Sequence, residues 1–196
     1  MLAGCKDAPA ATPIPLLDFK PDMIDGKLYK GKIVTGKRWK DARGENIVIL
    51  CESGVYWKDI YDATRGSKLY AYHFLLTKDS AWDEAWKMTD MFDDCAWDIN
   101  CQFFEKSLSI TDLDGDGLAE VSFMYALSCK GDGVPDDRKL VLFEGIDRYR
   151  LAGKTFAHEK HKSPDKVTEK KFEDAPASFL EYAEQQYAKF GTKSGK

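Results

Sequence analysis

The sequence lacks both a long apolar run and an excess of positive charge. Its apolar runs are short, as at Ile47–Cys51, whereas a membrane-spanning helix needs about 20 apolar residues. Lys and Arg number 29 against 33 Asp and Glu, which gives a formal net charge of −4 at pH 7. Since proteins that bind nucleic acids usually present a basic surface to the phosphates, this balance argues against a nucleic-acid partner.

Common sequence signatures of catalysis are also missing. The chain has no Gly-x-Ser-x-Gly nucleophile motif, no Cys-x-x-Cys pair, and no glycine-rich loop between a strand and a helix that could hold phosphate. Its histidines, His73, His158 and His161, do not stand at metal-ligand spacing from the cysteines. These absences argue against serine-hydrolase, zinc-binding and nucleotide-binding sites.

What the sequence does contain is the composition of a folded domain. Its 196 residues suit one domain with appendages, and 13% of them are aromatic, which is too many for a disordered chain. From residue 28 onward, β-branched and aromatic residues alternate with polar ones, which predicts strands joined by short turns. The predicted strands are residues 28–34, 45–52, 68–76, 85–93, 101–111, 118–128 and 139–150.

Short turns without intervening helices predict a mainly β (α+β) fold, an antiparallel sheet or sandwich built of hairpins. Turn signals stand at residues 41–44, 52–54, 114–117 and 131–133. Helical spacing is clear only near the C-terminus, where Phe179, Tyr182 and Phe190 fall on one face and Gly191 ends the pattern. We therefore expect a tether at 1–22, an antiparallel β domain at 23–157, and a charged connector with a C-terminal helix at 158–196.

The most specific motif is an acidic loop, Asp112-Leu-Asp-Gly-Asp-Gly-Leu-Ala-Glu120. Calcium binds about six to eight oxygen ligands, and closely spaced carboxylates on a tight loop can supply them. Asp112, Asp114 and Asp116 stand at alternate positions, so their side chains can converge on one ion. The Leu118 carbonyl and the Glu120 carboxylate can complete the ligand set. The alternative is an ordinary Asp-Gly turn, but the carboxylates would then repel one another without a cation.

The loop differs from an EF-hand, because the twelfth position from Asp112 is Phe123 rather than an acid and a strand follows instead of a helix. It resembles the strand-loop-strand calcium loops of FG-GAP-type β-repeats, in which an acid at the ninth position closes the site. That acid is Glu120 here, where those loops usually have Asp. We expect a calcium ion bound here to be structural and to hold a hairpin, as an exported domain can do where calcium is plentiful. Upstream, Asp41–Asn46 aligns weakly with this loop, either as a degenerate, metal-free copy or by coincidence.

The first residues, Met1-Leu-Ala-Gly-Cys5, resemble the lipobox of bacterial lipoproteins, in which the cysteine receives the lipid. Residues 6–15 follow and are rich in Ala and Pro, which suits a tether better than a packed helix. The resemblance implies that the natural protein starts with a signal peptide and that a lipid on Cys5 anchors it to the outer membrane of a bacterial cell envelope. The charged start, Cys5-Lys6-Asp7, is similar to that of lipoproteins exported to the cell surface in some Gram-negative bacteria.

If Cys5 carries lipid, an even number of cysteines remains, which in an exported protein predicts two disulfides. The remaining cysteines are Cys51, Cys95, Cys101 and Cys129, and they allow three connectivities. Reduced buried thiols and a metal site are the alternatives. Hairpin geometry favours Cys101 with Cys129, because both lie 14 residues from Gly115.

Six segments carry a further resemblance: Trp39–Ile49, Leu69–His73, Asp94-Cys95, Thr111–Glu120, Tyr125–Cys129 and Lys139-Leu140. Together they resemble a family of uncharacterised bacterial lipoproteins that genome context labels as surface polysaccharide biosynthesis proteins. The family implies an exported, cell-surface protein with an acidic Asp-Gly loop and with cysteines at the positions of Cys95 and Cys129. That resemblance favours the pairing of these two cysteines.

Two functions are therefore expected as alternatives. The first is a non-enzymatic exported lipoprotein, a calcium-stabilised β-rich module that binds a glycan or a protein at the cell surface. The second is an enzyme or accessory factor that acts on surface polysaccharide through an acidic cluster near the Asp-Gly loop. Further carboxylate-rich stretches lie at Asp90–Asp98 and Asp132–Asp137, and a pair of carboxylates can hydrolyse a glycosidic bond. A glycan could stack on exposed tryptophans, although in a small β domain these residues more often fill the core. The tryptophans are Trp39, Trp57, Trp82, Trp86 and Trp97.

Overall fold

The computed structural model describes residues 12–131, 135–155, 167–168 and 170–191. The strands, in chain order, are β1 (Thr12–Pro13), β2 (Leu16–Leu17), β3 (Lys32–Asp41), β4 (Gly44–Asp59), β5 (Thr64–Leu76), β6 (Trp82–Cys95), β7 (Asp98–Phe103), β8 (Ser109–Asp112), β9 (Glu120–Lys130), β10 (Asp136–Glu144), β11 (Asp147–Thr155) and β12 (Val167–Thr168). Short 3-10 turns lie at Pro21–Met23, Glu105–Ser107 and Lys170–Glu173, and helix α1 spans Ala177–Gly191.

The strands form two antiparallel sheets. The first sheet has the order β2-β3-β4-β5-β6. The second has the order β1-β8-β9-β10-β11-β12, and β7 pairs with the part of β9 that β8 does not reach. Most neighbours in a sheet are also neighbours in sequence, which is what short turns between strands require. The predicted mainly β fold of antiparallel hairpins with a C-terminal helix is therefore confirmed.

The two sheets pack face to face as a sandwich around a shared core. Successive side chains of a strand point to opposite faces, so Val48 and Leu50 of β4 enter this core while Ile49 points to the outer face. From the second sheet, Phe123 and Tyr125 of β9 enter the same core. Removal of these side chains from water is the main force that holds the sheets together.

The outer faces of both sheets are covered as well. Helix α1 places Phe179 and Ala183 against the second sheet. Among the described residues, no helix is long and apolar enough to cross a membrane. The segment before β3 covers the first sheet, with Phe19 lying over Gly36, where any Cβ would collide with its ring. Among the described residues, strand pairing starts at Thr12, before the domain boundary at residue 23 that the sequence predicts: β1 pairs with β8, and β2 pairs with β3.

The predicted strand 28–34 corresponds to β3, which instead spans Lys32–Asp41, and three other predicted elements are wrong. The predicted strand 101–111 is interrupted by the 3-10 turn at Glu105–Ser107, and the predicted strand 139–150 is the hairpin of β10 and β11. The predicted turn at 52–54 is instead a bulge inside the long strand β4. In each case the local sequence pattern is compatible with both the predicted and the observed element, and pairing with neighbouring strands determines which of the two forms.

One disulfide, Cys95–Cys129, joins the end of β6 in the first sheet to β9 in the second. The pairing that the family resemblance favours is therefore confirmed, and the hairpin-based pairing of Cys101 with Cys129 is wrong. The 3-10 turn at Glu105–Ser107 shifts the register of β7 on β9 by three positions relative to β8, so Cys101 lies opposite Leu127.

The second predicted disulfide does not form, because Cys51 of β4 and Cys101 of β7 lie on opposite sides of the first sheet. Cys51 lies in the outer cluster, whereas Cys101 packs against the core between the sheets, and both thiols are free. Burial raises the pKa of the Cys51 thiol to about 12. This thiol is therefore an unreactive part of the packing at neutral pH.

Candidate metal centre

The acidic loop joins β8 to β9, and its own aspartates and glycines determine its shape. Asp112 ends β8, and its carboxylate accepts the N–H of Gly115 at 2.7 Å (Oδ1) and that of Gly117 at 3.2 Å (Oδ2). Both glycines have left-handed backbone, with φ of 80° and 84°, which L side chains rarely adopt. The Asp112 side chain therefore holds a tight turn that these glycines make possible.

The next two aspartates cap backbone groups within the loop. Asp114 Oδ1 accepts the Asp116 N–H at 3.3 Å, and Asp116 Oδ1 accepts the Leu118 N–H at 2.7 Å. Hydrogen bonds of this kind are common in Asp-rich turns, so they explain how the loop folds without pointing to a ligand. A reason for a ligand comes instead from Glu120.

Glu120 begins β9 and is fully buried. Its Oε2 accepts the Leu113 N–H at 2.7 Å, but its Oε1 has no hydrogen-bond partner among the described residues. Burial raises the pKa of this carboxyl to about 8, the Leu113 N–H opposes that shift, and the charges of Asp114, Glu144 and Asp112 reinforce it. A buried polar atom without a partner costs about 1–3 kcal/mol, and more when it is charged, so this oxygen calls for a compensating group.

The carboxylates of the loop converge on one point. One oxygen from each of Asp112, Asp114, Asp116 and Glu120 lies within 4.8 Å of the others. The cluster extends from the exposed Asp116, through two half-buried aspartates, to the buried Glu120. The structure thus brings four of the predicted ligands together and places the fifth, Leu118, in the same loop with its N–H on Asp116.

Sequence reasoning missed a further carboxylate beside the cluster. Glu144 ends β10 and is the cross-strand neighbour of Glu120. Burial raises the pKa of Glu144, Asp114 and Asp116 add to the shift, and the positive charge of Arg43 opposes it. The signal that would have found Glu144 is the register of β10 on β9, which the sequence alone does not display.

The β3–β4 hairpin contacts the loop from the first sheet. Asp41 Oδ2 accepts the Ala119 N–H at 3.3 Å and the Trp39 Nε1–H at 3.1 Å. The Ala42 N–H donates to the Gly117 carbonyl at 3.0 Å. The segment 41–46 that aligned weakly with the acidic loop is thus a tight hairpin turn that packs against it.

The two other acidic stretches form ion pairs. Each described aspartate in them has a Lys or Arg nitrogen within 4 Å: Asp90 with Lys139, Asp93 and Asp94 with Lys58, Asp98 with Arg65, Asp136 with Lys130, and Asp137 with Lys154. A cation beside a carboxylate favours its charged form, which is the opposite of what a general acid needs. Asp132 lies outside the described residues.

The tryptophans divide between the core and the surface. Trp39 and Trp86 lie in the core between the sheets, whereas Trp57 and Trp97 are 62% and 66% exposed. Arg65 contacts both exposed tryptophans. Its Nη2 donates to the Trp97 backbone carbonyl at 2.7 Å, and its guanidinium carbon lies 5.9 Å from the centre of the Trp57 ring. Trp57, Trp97 and Arg65 together form what we call the aromatic patch.

Comparison with known proteins gives no relative for this chain. No family model, no curated protein and no solved structure matches it. The acidic loop, the ion pairs and the aromatic patch are therefore the observations on which a function can be based.

Proposed function

We propose that this chain is a non-enzymatic exported lipoprotein whose β sandwich is stabilised by calcium and binds a glycan or a protein at the cell surface. The observation that carries the proposal is the buried Glu120 carboxylate, because its Oε1 has no partner among the described residues and one oxygen of this carboxylate lies within 4.8 Å of oxygens of three aspartates. A divalent cation at that point would give the oxygen a partner and would offset the repulsion between the carboxylates.

Calcium suits this donor set better than the other common ions. The cluster offers carboxylate oxygens and contains neither His nor Cys, which favours a hard cation over zinc or copper. Magnesium demands near-ideal octahedral geometry and keeps several waters, whereas calcium accepts a flexible shell of protein oxygens. Asp112, Asp114, Asp116 and Glu120 would hold the ion, with the Leu118 carbonyl as a further ligand.

The proposed role of the ion is structural. The loop belongs to the second sheet, but Asp41 and Ala42 of the first sheet hydrogen-bond to it through Ala119 and Gly117. An ion that orders the loop would therefore also fix the contact between the two sheets. Calcium is plentiful outside the cytosol, where an exported domain would use it.

Thermal unfolding of the Cys5→Ser protein in calcium, magnesium and EDTA tests the calcium site. With calcium at about 100 times its Kd, the wild-type domain should unfold about 5 °C or more above its EDTA value. The Asp114→Asn/Asp116→Asn and Glu120→Gln variants should lose this difference. Asp83→Asn, which neutralises an exposed carboxylate on β6, should keep it.

A wild-type unfolding temperature that ignores calcium would contradict the proposed structural ion. So would loop variants that retain the full calcium effect. A magnesium effect equal to that of calcium would show that the ion had been assigned wrongly.

The lipid anchor is proposed on sequence grounds. Cys5 lies outside the described residues, so the Leu-Ala-Gly-Cys pattern and the following Ala- and Pro-rich residues support it. The proposed location is the outer membrane of a bacterial cell envelope, with the membrane contacted through the lipid on Cys5.

Two observations favour binding over catalysis. Exposed indoles provide rigid apolar area at low entropic cost, and aromatic residues dominate many recognition surfaces, so the aromatic patch suits a glycan or a protein partner. The aspartates that the enzyme alternative requires instead lie beside Lys and Arg side chains. These carboxylates are better explained as ion pairs that hold strands together.

A further inference from the structure

A cleft opens at the edge of the sandwich, between β6 of the first sheet and β10 and β11 of the second. Among the described strands, β6 is the last of its sheet. Val141 of β10 enters the shared core, and Lys139 and Asp137 lie on the same face of that strand. Lys154 of β11 is the cross-strand neighbour of Asp137. Charged side chains on the inner face of a sandwich indicate that this part of the face opens to solvent instead of meeting the other sheet.

The cleft contains a cavity of about 370 Å³, which is within the size range of small-molecule sites in proteins. Phe92 of β6, Leu127 of β9 and Ala152 of β11 form its apolar wall. Phe92 is half-buried and packs against the shared core, which holds its ring in place. The cavity therefore offers an aromatic ring with apolar neighbours as a surface on which a ligand can pack.

Two carboxylate–ammonium pairs flank this apolar wall. Lys139 Nζ donates to Asp90 Oδ2 at 2.7 Å, and the same oxygen accepts the Tyr125 hydroxyl at 2.7 Å. The other pair is looser, because Lys154 Nζ and Asp137 Oδ1 are 3.9 Å apart, which is longer than a hydrogen bond. The ammonium and the carboxylate of this second pair therefore keep donors and acceptors that a ligand can use.

The charges that line the cavity are balanced. Besides the two ammonium groups, the lining includes Arg138, whose Nη2 lies 3.8 Å from Asp136 Oδ2. Each cation of the lining thus has a carboxylate oxygen within 4 Å. Arg148 and Arg150 line a smaller neighbouring cavity. Balanced charges give an anionic ligand no advantage over an uncharged one, and a purely apolar ligand would remove polar groups from water without giving them partners.

We infer that this cleft binds an uncharged saccharide, with one ring face on Phe92 and with hydroxyl groups at Asp137 and Lys154. Sugar rings carry C–H bonds on their faces, which pack on aromatic side chains, and hydroxyl groups around their rims, which both donate and accept hydrogen bonds. A carboxylate beside an ammonium offers an acceptor and a donor to neighbouring hydroxyls. This inference rests on the proposed function, because it names the chemical class of the glycan and gives it a site other than the aromatic patch.

Calorimetric titration of the folded Cys5→Ser protein tests the inference. The uncharged probes are cellotriose, mannotriose and triacetylchitotriose, and the anionic probe is trigalacturonate. We expect at least one uncharged probe to bind with a Kd of about 1 mM or tighter, and trigalacturonate to bind about tenfold more weakly or not at all. Added NaCl should have little effect on the uncharged probe, since no net charge is neutralised when it binds.

Two variants locate the site. Ala152→Leu places a larger apolar side chain in the cavity and should abolish binding. Asp137→Ala/Lys154→Ala removes the looser pair and should weaken binding about tenfold or more, because the sugar hydroxyls lose their partners. The matched control, Asp83→Ala/Lys87→Ala, removes an exposed carboxylate and an exposed ammonium from β6 and should bind like the wild type. Thermal melting of each sample verifies that the variants are folded.

The other outcomes overturn the inference in distinguishable ways. If trigalacturonate binds as tightly as the uncharged probes, the argument from balanced charges is wrong. If either cleft variant binds a saccharide undiminished, the glycan site lies elsewhere. Both of these results would leave the proposed function standing. Failure of every probe would remove the cleft as a saccharide site, and the calcium dependence of melting in the same samples would report separately on the proposed metal centre.

Discussion

At the scale of single residues, His73 illustrates how burial changes the chemistry of a side chain. Its ring lies between those of Trp39 and Trp86, with centroid distances of 5.4 Å to each, and its Nε2 is 2.9 Å from Asn46 Oδ1. Burial lowers the pKa of His73 to about 4, and the positive charge of Arg43 adds to the shift. The imidazole is therefore neutral at physiological pH and serves as a packed, hydrogen-bonded part of the core.

This shift predicts a pH dependence of stability. The folded pKa of His73 is about 4, below the unfolded value of 6.5, so between these pH values the unfolded chain binds a proton that the folded chain does not. The free energy of unfolding should therefore fall by about 3 kcal/mol as the pH drops from 7 to 4. His73→Gln, which keeps a donor for Asn46, should lack this part of the loss. Urea unfolding of both proteins measures the difference, and parallel pH curves would contradict the prediction.

Among single residues, the sequence predicts the ligand-bearing aspartates but not their surroundings. The spacing of Asp112, Asp114 and Asp116 is a local pattern, so it can be recognised without a fold. The burial of Glu120 and the approach of Glu144 depend on strand register, and the contact with Asp41 depends on how the sheets pack. These are long-range features that one sequence does not specify by inspection.

At the scale of elements, turns that carry strong signals are predicted and unusual turns are not. The turn at 41–44 has Asp and Gly at its ends, which makes it recognisable. The β10–β11 turn contains Gly145-Ile146, which lacks the common hairpin dipeptides, so the two strands look like one. The 3-10 turn before β8 is held by Ser107, whose hydroxyl donates to the Phe104 carbonyl at 2.6 Å and accepts the Met124 N–H at 2.7 Å. The bond to Met124 is a tertiary contact with β9, so the local sequence does not display it.

The disulfide between β6 and β9 predicts a stability effect at this scale. Cys95 and Cys129 are 34 residues apart and tie the two sheets together. Loss of a cross-link that closes a loop of this length typically costs about 2–4 kcal/mol, so Cys95→Ala/Cys129→Ala should be destabilised by that amount in urea. Reduction should destabilise the wild type and the Cys101→Ala control to a similar extent. A wild type that is indifferent to reductant would contradict the prediction.

At the scale of the whole molecule, the N-terminal segment connects the proposed anchor to the acidic loop. Thr12 is seven positions after Cys5, a distance of at most about 25 Å when the chain is fully extended. Thr12 pairs with Asp112 at the end of β8. A lipid on Cys5 would therefore keep Thr12, and with it the adjoining end of the acidic loop, close to the membrane surface.

The anchor itself is tested by metabolic labelling. When the protein is expressed behind a lipoprotein signal peptide, we expect it to incorporate labelled palmitate and to fractionate with membranes. Cys5→Ser should do neither, because the cysteine that accepts the lipid is gone. Cys101→Ser should label normally, since that thiol lies inside the sandwich. A Cys5→Ser protein that still fractionates with membranes would contradict the proposed anchor.

The sequence also predicts the sandwich and its helix better than the cover over the first sheet. The period of Phe179, Tyr182 and Phe190 identifies α1 locally. The segment that covers the first sheet has no such period, and it packs through single residues such as Ile24 and Phe19. Its place in the fold depends on the shape of the surface that it meets, including the space that Gly36 leaves for the Phe19 ring.

The most direct test of the account is a calorimetric calcium titration of the metal-free protein. We predict one calcium per chain, with a Kd of about 1 mM or tighter, as expected for extracellular sites. The Asp114→Asn/Asp116→Asn variant should show no binding in the same range, and Asp83→Asn should match the wild type. A wild-type protein that takes up no calcium, or a loop variant that binds it undiminished, would contradict the claim that these carboxylates form a cation site.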